Sequence, residues 1–331
     1  MKKSTSRGRM AALLATTALV AAACGTDAVT DAAGEVADDV SEAVEGDGES
    51  EGEGEGGGGP LFDLEFAGLE PLGDGFEYEG WVVVDGEALS TGRFTIAEID
   101  GESEYTAGPV ATLEQAAAGT DFILSVEPTE NDDPAPSDAK PLGGAIVDGV
   151  AELSVAHPAA LGQDFAGATG DFVITTPTTQ GTDDDVSGVW FIELTDDGPV
   201  AGLDELPELP VGWVYEGWVV IDDVPVSTGR FVDAAAPDLF DGFSGDEDSP
   251  PFPGEDFITN APDGLEFPAD LTDGTSQVVI SIEPEIDDSP APFALKPLAY
   301  PIAEGTETGA QLELQAGPPL TTGTATLIEM P

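Results

Sequence analysis

From residue 61 onward, short apolar runs are cut apart by Gly, Pro and Asp, and none extends into a helical period. Trp81–Val84, Phe122–Val126, Phe172–Thr175 and Val189–Ile192 are rich in β-branched and aromatic residues and read as strands. Trp218–Ile221, Val278–Ile282, Gln311–Leu314 and Ala325–Ile328 repeat that order in the second half. Many short strands separated by turn signals predict an all-β fold, two tandem β-sandwich domains rather than a doubly wound sheet.

The repeat is written most clearly in its polar positions. YEGWVVVDGEALSTGRF (Tyr78–Phe94) and YEGWVVIDDVPVSTGRF (Tyr215–Phe231) carry Arg93 and Arg230 at the same spacing from Trp81 and Trp218. Ser125-Val126-Glu127-Pro128 then matches Ser281-Ile282-Glu283-Pro284, and a Pro-Ala-Pro segment precedes Lys140 and Lys296, each opening a KPL triplet. Past the N-terminal segment, these four residues are the only Lys and Arg of the chain. Survival of the few cations at matched positions marks one module used twice, joined between Leu194 and Leu203.

The first residues follow an export pattern: Lys2, Lys3, Arg7 and Arg9 precede an apolar run, Met10–Ala23, too short for a lasting transmembrane anchor. The run ends in Leu19-Val20-Ala21-Ala22-Ala23-Cys24, which resembles a bacterial lipoprotein processing site, although Ala21 stands where Leu is usual. That resemblance implies lipidation of Cys24, the sole cysteine, and a location on the outer face of the cell membrane; a secreted protein with an incidental cysteine is the plainer alternative. Residues 25–60 are mostly Gly, Glu, Asp, Ala and Ser, too polar to offset chain entropy by burial. They read as a flexible tether spanning about 30–35 Å, with a short helix around 32–44 conceivable. The boundaries are therefore 1–23 signal peptide, 24–60 lipidated Cys and acidic linker, 61–197 first repeat and 198–331 second repeat.

Charge narrows the function classes. The formal net charge is −59, and −63 once the four basic export residues are removed. Such self-repulsion is best tolerated where salt shortens its range, about 3 Å at molar ionic strength, so a saline habitat is expected. Nucleic-acid binding is excluded because phosphate contacts need Lys and Arg. Carboxylates suit calcium, but Asp132-Asp133, Asp183-Asp184-Asp185 and Asp287-Asp288 lack the glycine-centred spacing of an EF-hand loop. They read as solvated surface charge with nonspecific calcium association, with neither a specific metal site nor a cofactor expected.

The ordered set of YEGW, the strand after it, STGRF, and a later VEP followed by Pro-Ala-Pro resembles the extracytoplasmic C-terminal domain of anti-sigma-K factors, the RskA family, in both halves and over most of residues 61–303. In that family, a transmembrane helix joins the outer domain to a cytoplasmic domain that holds a sigma factor inactive. The chain departs from this pattern: no cytoplasmic segment, spanning helix or His/Cys zinc cluster is apparent. The resemblance thus implies the outer module without the ability to sequester a sigma factor.

Arg93 and Arg230 in so acidic a chain require carboxylate partners. Glu79 and Glu216 are the matched candidates if the two strands pair, giving a partly buried bridge that fixes register; Glu127 and Glu283 are alternatives, and ligand binding is the functional one. Lys140 and Lys296 follow proline-rich loops, where recognition and apolar packing of the stem are both open readings. Trp81 and Trp218 read as core; Trp190 and Trp213 lie near the junction, and Phe252, in an insertion that lengthens the second repeat, is the expected exposed recognition loop. Catalysis finds little support: His157 is the only histidine, and no nucleophile elbow, thiol nucleophile or phosphate-cradling loop is present. The expectation is a non-enzymatic, lipid-anchored interaction or sensing protein whose partner is a membrane signalling protein. The alternatives are a structural lipoprotein contacting cell-wall or surface-layer material and, less favoured, a calcium-dependent or carboxylate hydrolase.

Overall fold

Alternating burial along paired strands builds the molecule. The computed structural model describes residues 60–328 apart from 131–132, 182–184, 204 and 287–288, all within one compact unit, Gly52–Pro331. The export segment, Cys24, the linker to residue 59, the conceivable helix at 32–44, and Asp132, Asp183, Asp184, Asp287 and Asp288 lie outside the described residues. The described residues form nineteen strands and one short helix, so the fold is all-β and sandwich-like, and every strand pairing among them is antiparallel.

The first half contributes β1 (Phe62–Ala67), β2 (Phe76–Val84), β3 (Glu87–Ile96), β4 (Ser103–Ala107), α1 (Leu113–Ala117), β5 (Asp121–Pro128), β6 (Leu142–Val147), β7 (Val150–Ser154), β8 (Asp171–Ile174), β9 (Gly188–Trp190) and β10 (Ile192–Thr195). The second contributes β11 (Gly198–Ala201), β12 (Trp213–Ile221), β13 (Val224–Phe231), β14 (Gly254–Asp256), β15 (Gln277–Pro284), β16 (Leu298–Pro301), β17 (Gln311–Glu313), β18 (Gln315–Ala316) and β19 (Thr322–Leu327). Two-residue turns close the hairpins β2–β3, β6–β7 and β12–β13 with Asp85-Gly86, Asp148-Gly149 and Asp222-Asp223, all at positive φ. Their backbone twist matches that of the flanking strands, and Asp tolerates the left-handed region better than most residues.

The halves share the arrangement β3-β2-β5-β6 and its counterpart β13-β12-β15-β16. They also exchange strands. β19, from the C-terminal end, lies between β1 and β7 with Phe62 opposite Leu327 and Ser154 opposite Thr322. Reciprocally, β8 of the first half pairs with β17, and Asp171 N donates to Gly202 O at 2.8 Å. The boundary read at 197/198 falls in the β10–β11 turn, while sheet hydrogen bonds cross it in both directions. One continuous apolar cluster, from Phe62 to Ala325, draws side chains from both halves. Within it Tyr78 stacks on Phe94 and Tyr215 on Phe231, and each Tyr hydroxyl donates at 2.7 Å to a backbone carbonyl eight residues upstream, Glu70 O and Pro207 O.

Candidate functional site

The repeated EGW…STGR sequence encodes a β-bulge with an ion pair on it. Glu79 faces Arg93 and Gly80 faces Gly92, after which the register slips so that Trp81 faces Ser90; Glu216, Gly217 and Trp218 repeat this opposite Arg230, Gly229 and Ser227. The extra residue is Thr91 or Thr228. A Cβ on Gly80 would lie 2.5 Å from Thr91 Oγ1, and one on Gly217 would clash with Thr228 in the same way, so the glycine before each Trp makes room for the threonine. Gly92 and Gly229 take φ of 120° and 122°, which only glycine adopts readily. Ser90 and Ser227 accept from the backbone N–H of those glycines at 3.2 and 3.0 Å.

The bulge aims three polar side chains at one another. Arg93 Nε donates to Glu79 Oε2 at 2.8 Å and Arg230 Nε to Glu216 Oε2 at 2.9 Å. Ser227 donates to Glu216 at 2.5 Å, and Ser90 hydrogen-bonds Glu79. The neighbouring strand completes the network: Trp81 Nε1 donates to Ser125 Oγ at 2.8 Å, Ser125 donates to Glu127 at 2.5 Å, and Ser137 N donates to Glu127 at 2.7 Å. In the second copy, Trp218 donates to Ser281 at 2.8 Å, Ser281 to Glu283, and Phe293 N to Glu283 at 2.8 Å. Glu79, Glu127, Glu216 and Glu283 are all at most 5% exposed. Burial raises the Glu79 carboxyl against the opposing pull of Ser90 and Arg93, and burial pushes Glu283 up to about 7 against its hydrogen bonds from Ser281 and Phe293. Glu127 and Glu283 act as acceptors for Ser and backbone N–H groups, and the Arg Nε bonds go to Glu79 and Glu216.

The copies differ in what covers this network. Over the first, β4 pairs with β3, placing Ala107 opposite Arg93 and the Tyr105 ring beside Gly92. Over the second, the segment after β13 does not form a strand there; the Asp238 carboxyl takes the place beside Gly229, and a cleft of about 510 Å³ opens between Arg230, Trp218 and the side chains of Leu239, Phe240, Phe243 and Pro290. Two acids hold its wall, the half-buried Asp238 and the buried Glu255. Asp238 accepts from Phe240 N at 3.0 Å and Gly254 N at 2.9 Å, and Glu255 accepts from Ser244 Oγ and from Asp256 N at 3.0 Å. Burial pushes Asp238 up to about 6 and Glu255 up to about 8.

The remaining sequence candidates separate. Lys296 reaches across to the first half and bonds Glu70 at 2.9 Å, whereas its counterpart Lys140 lies 3.8 Å from the exposed Asp138. Trp190 donates to the buried Asp256 at 2.7 Å, a contact between halves, and Trp213 packs against Phe293. Phe252, expected on an exposed loop, is half-buried against Val173, Trp190 and Ile192 because β14 draws its segment onto β9. The exposed tip of the insertion is Leu239, at 88%, beside Phe240. Both ring nitrogens of His157 are engaged: Nδ1 accepts from Ala159 N at 3.3 Å and Nε2 lies 3.2 Å from Asp121. Among the described residues, no group of three or more His, Cys, Asp or Glu is placed to hold a metal ion, and no helix is long and apolar enough to cross a membrane. No family model, curated protein or solved structure matches the chain.

Proposed function

We propose that the chain is an exported, lipid-anchored, non-catalytic interaction module, derived from an outer domain like that of anti-sigma-K factors and acting on a membrane signalling partner without itself holding a sigma factor. One observation carries this reading: a duplicated Trp–Ser–Glu and Arg–Glu network is sealed by its own chain in one copy and left under an open, aromatic- and proline-lined cleft in the other. A network used only to fix register needs no such opening. Cross-linking the tagged, lipidated protein in cells at their native salt tests the reading. Enrichment of a membrane protein with a similar outer domain supports it; recovery of wall or surface-layer material alone replaces it with a structural surface role.

A further inference from the structure

The first copy shows what this fold does when the place beside the Arg is filled from within. Ala107 sits opposite Arg93, and the Tyr105 ring lies 3.2 Å from where a Gly92 Cβ would be and packs on Phe94 at 5.7 Å. In the second copy, the outer edge of β13 has no strand partner among the described residues. Nor is it a good template for one. Pro225 stands where the first copy has Ala88, removing an N–H, and Leu239 N already donates to Arg230 O at 3.2 Å. What remains open is the cleft on the sheet face, about 510 Å³, within the range of roughly 300–1,000 Å³ typical of ligand pockets.

Its chemistry selects an occupant. Trp218, Phe243 and Pro290 line it, and Leu239 and Phe240 stand at its rim 88% and 39% exposed, with Val232 79% exposed on the same segment. Grouped exposed apolar side chains mark an interaction surface. The loop bearing them is acidic: Asp233, Asp238, Asp241, Asp246, Glu247 and Asp248 flank it, and the chain carries −59 overall. An anionic occupant is repelled, whereas a cationic flank is drawn in and finds aromatic faces to meet it. We propose that this cleft docks a short extended peptide segment of a partner protein, apolar or prolyl at its centre and carrying Lys or Arg on its flanks. The proposal rests on the interaction reading above and names the chemistry of its partner.

The test uses the full-length protein and two synthetic peptides, a Leu-Pro-Phe centre flanked by lysines and the same centre flanked by glutamates, titrated calorimetrically at physiological and molar salt. The lysine-flanked peptide should bind, more weakly at high salt, and the glutamate-flanked one should not. Phe240→Ala, at an exposed position, and Ser289→Trp, which fills the cleft, should each weaken binding at least about tenfold, with near-ultraviolet circular dichroism showing the fold retained. Absence of binding by the lysine-flanked peptide, equal binding of both peptides, or affinity unchanged in both variants overturns the proposal. Cross-linking then separates the two claims. A signalling partner captured equally by wild type and Phe240→Ala leaves the interaction reading standing and removes the cleft; peptide binding with no such partner in cells does the reverse.

Discussion

The two copies of the Glu–Arg bulge have nearly the same internal geometry, with Nε–Oε2 distances of 2.8 and 2.9 Å, and opposite surroundings. Around Arg93 the chain closes with β4; around Arg230 it inserts a loop pinned by Asp238 and Glu255 and leaves a cleft. The difference teaches that the motif is a structural device first. The bulge, the glycine opposite the threonine and the Trp–Ser–Glu chain are needed in both copies, so they reflect how the sheet is built. On the proposed interaction reading, specificity arises from what is laid over it, and the second copy is the one that leaves this place open.

The most severe way to break the comparison is to separate its two members. Residues 61–197 lack β19, leaving β1 and β7 without the strand between them, and residues 198–331 lack β8 and β9. Each fragment would expose apolar faces that the intact chain buries in a shared cluster. Neither fragment should show a cooperative unfolding transition alone, and mixing the two should restore one. A fragment 61–197 that folds by itself would make the strand exchange incidental.

Next in size is removal of either arginine. Arg93→Ala leaves Glu79 buried without its cation beside buried Glu127, and such a loss costs about 3–5 kcal/mol. Arg230→Ala should cost less: Glu216, at 5% exposed, is as buried as Glu79 at 4%, but it lines the cleft and can turn toward water there once its partner is gone, whereas β4 covers Glu79. Denaturant unfolding of both variants in molar salt, where long-range repulsion is screened, measures the gap. Equal costs would mean that the cleft leaves its charges as dry as β4 does.

Acid pH sharpens the contrast from the other side. Asp238, Glu283 and Glu255, with values pushed up to about 6, 7 and 8, all belong to the second copy. Each binds its proton more tightly folded than unfolded, so its contribution to stability is complete below the ordinary carboxyl values of 3.8–4.5 and is lost as pH rises through the folded value. The unfolding midpoint should therefore be higher at pH 5 than at pH 8. Glu255→Gln, which keeps an acceptor for Ser244 and removes the titration, should flatten that slope most, while a first-copy substitution such as Glu152→Gln, at an exposed site, should leave it unchanged.

These outcomes also mark what could be read from the chain in advance. The all-β class was legible from strand-length apolar runs, and the Glu79–Arg93 contact from two facts: strands joined by Asp85-Gly86 must pair, and a cation in an acidic chain needs a carboxylate. The bulge was hidden because STG reads equally as loop or strand; the signal was Gly92, at a strand interior where glycine otherwise weakens pairing. The strand exchange was not legible, since β8 and β19 are strands of four and six residues and nothing local says which sheet accepts each. Phe252 was misplaced for a related reason. A Pro- and Gly-rich surround suggests exposure, but the three-residue strand Gly254–Asp256 pairs with β9 through Trp190, a contact set by the other half of the chain.

The smallest effect concerns the two lysines, whose sequence settings match and whose contacts do not. Lys296 bonds both oxygens of Glu70 at 2.9 and 3.1 Å and is 12% exposed, whereas Lys140 lies 3.8 Å from an Asp138 side chain that is 69% exposed. The asymmetry follows from the tyrosine contact: Tyr78 bonds Glu70 O, Tyr215 bonds Pro207 O, so the residue equivalent to Glu70 is a proline without a carboxylate to offer. Lys296→Met should therefore cost about 1 kcal/mol and Lys140→Met close to nothing, since exposed pairs of loose geometry contribute little. A double-mutant cycle of Lys296→Met with Glu70→Gln isolates the contact itself. A coupling near zero would show that Lys296 serves by packing its stem against apolar surface. A coupling of about 1 kcal/mol would make this ion pair a polar tie between the halves, acting on top of the exchanged strands.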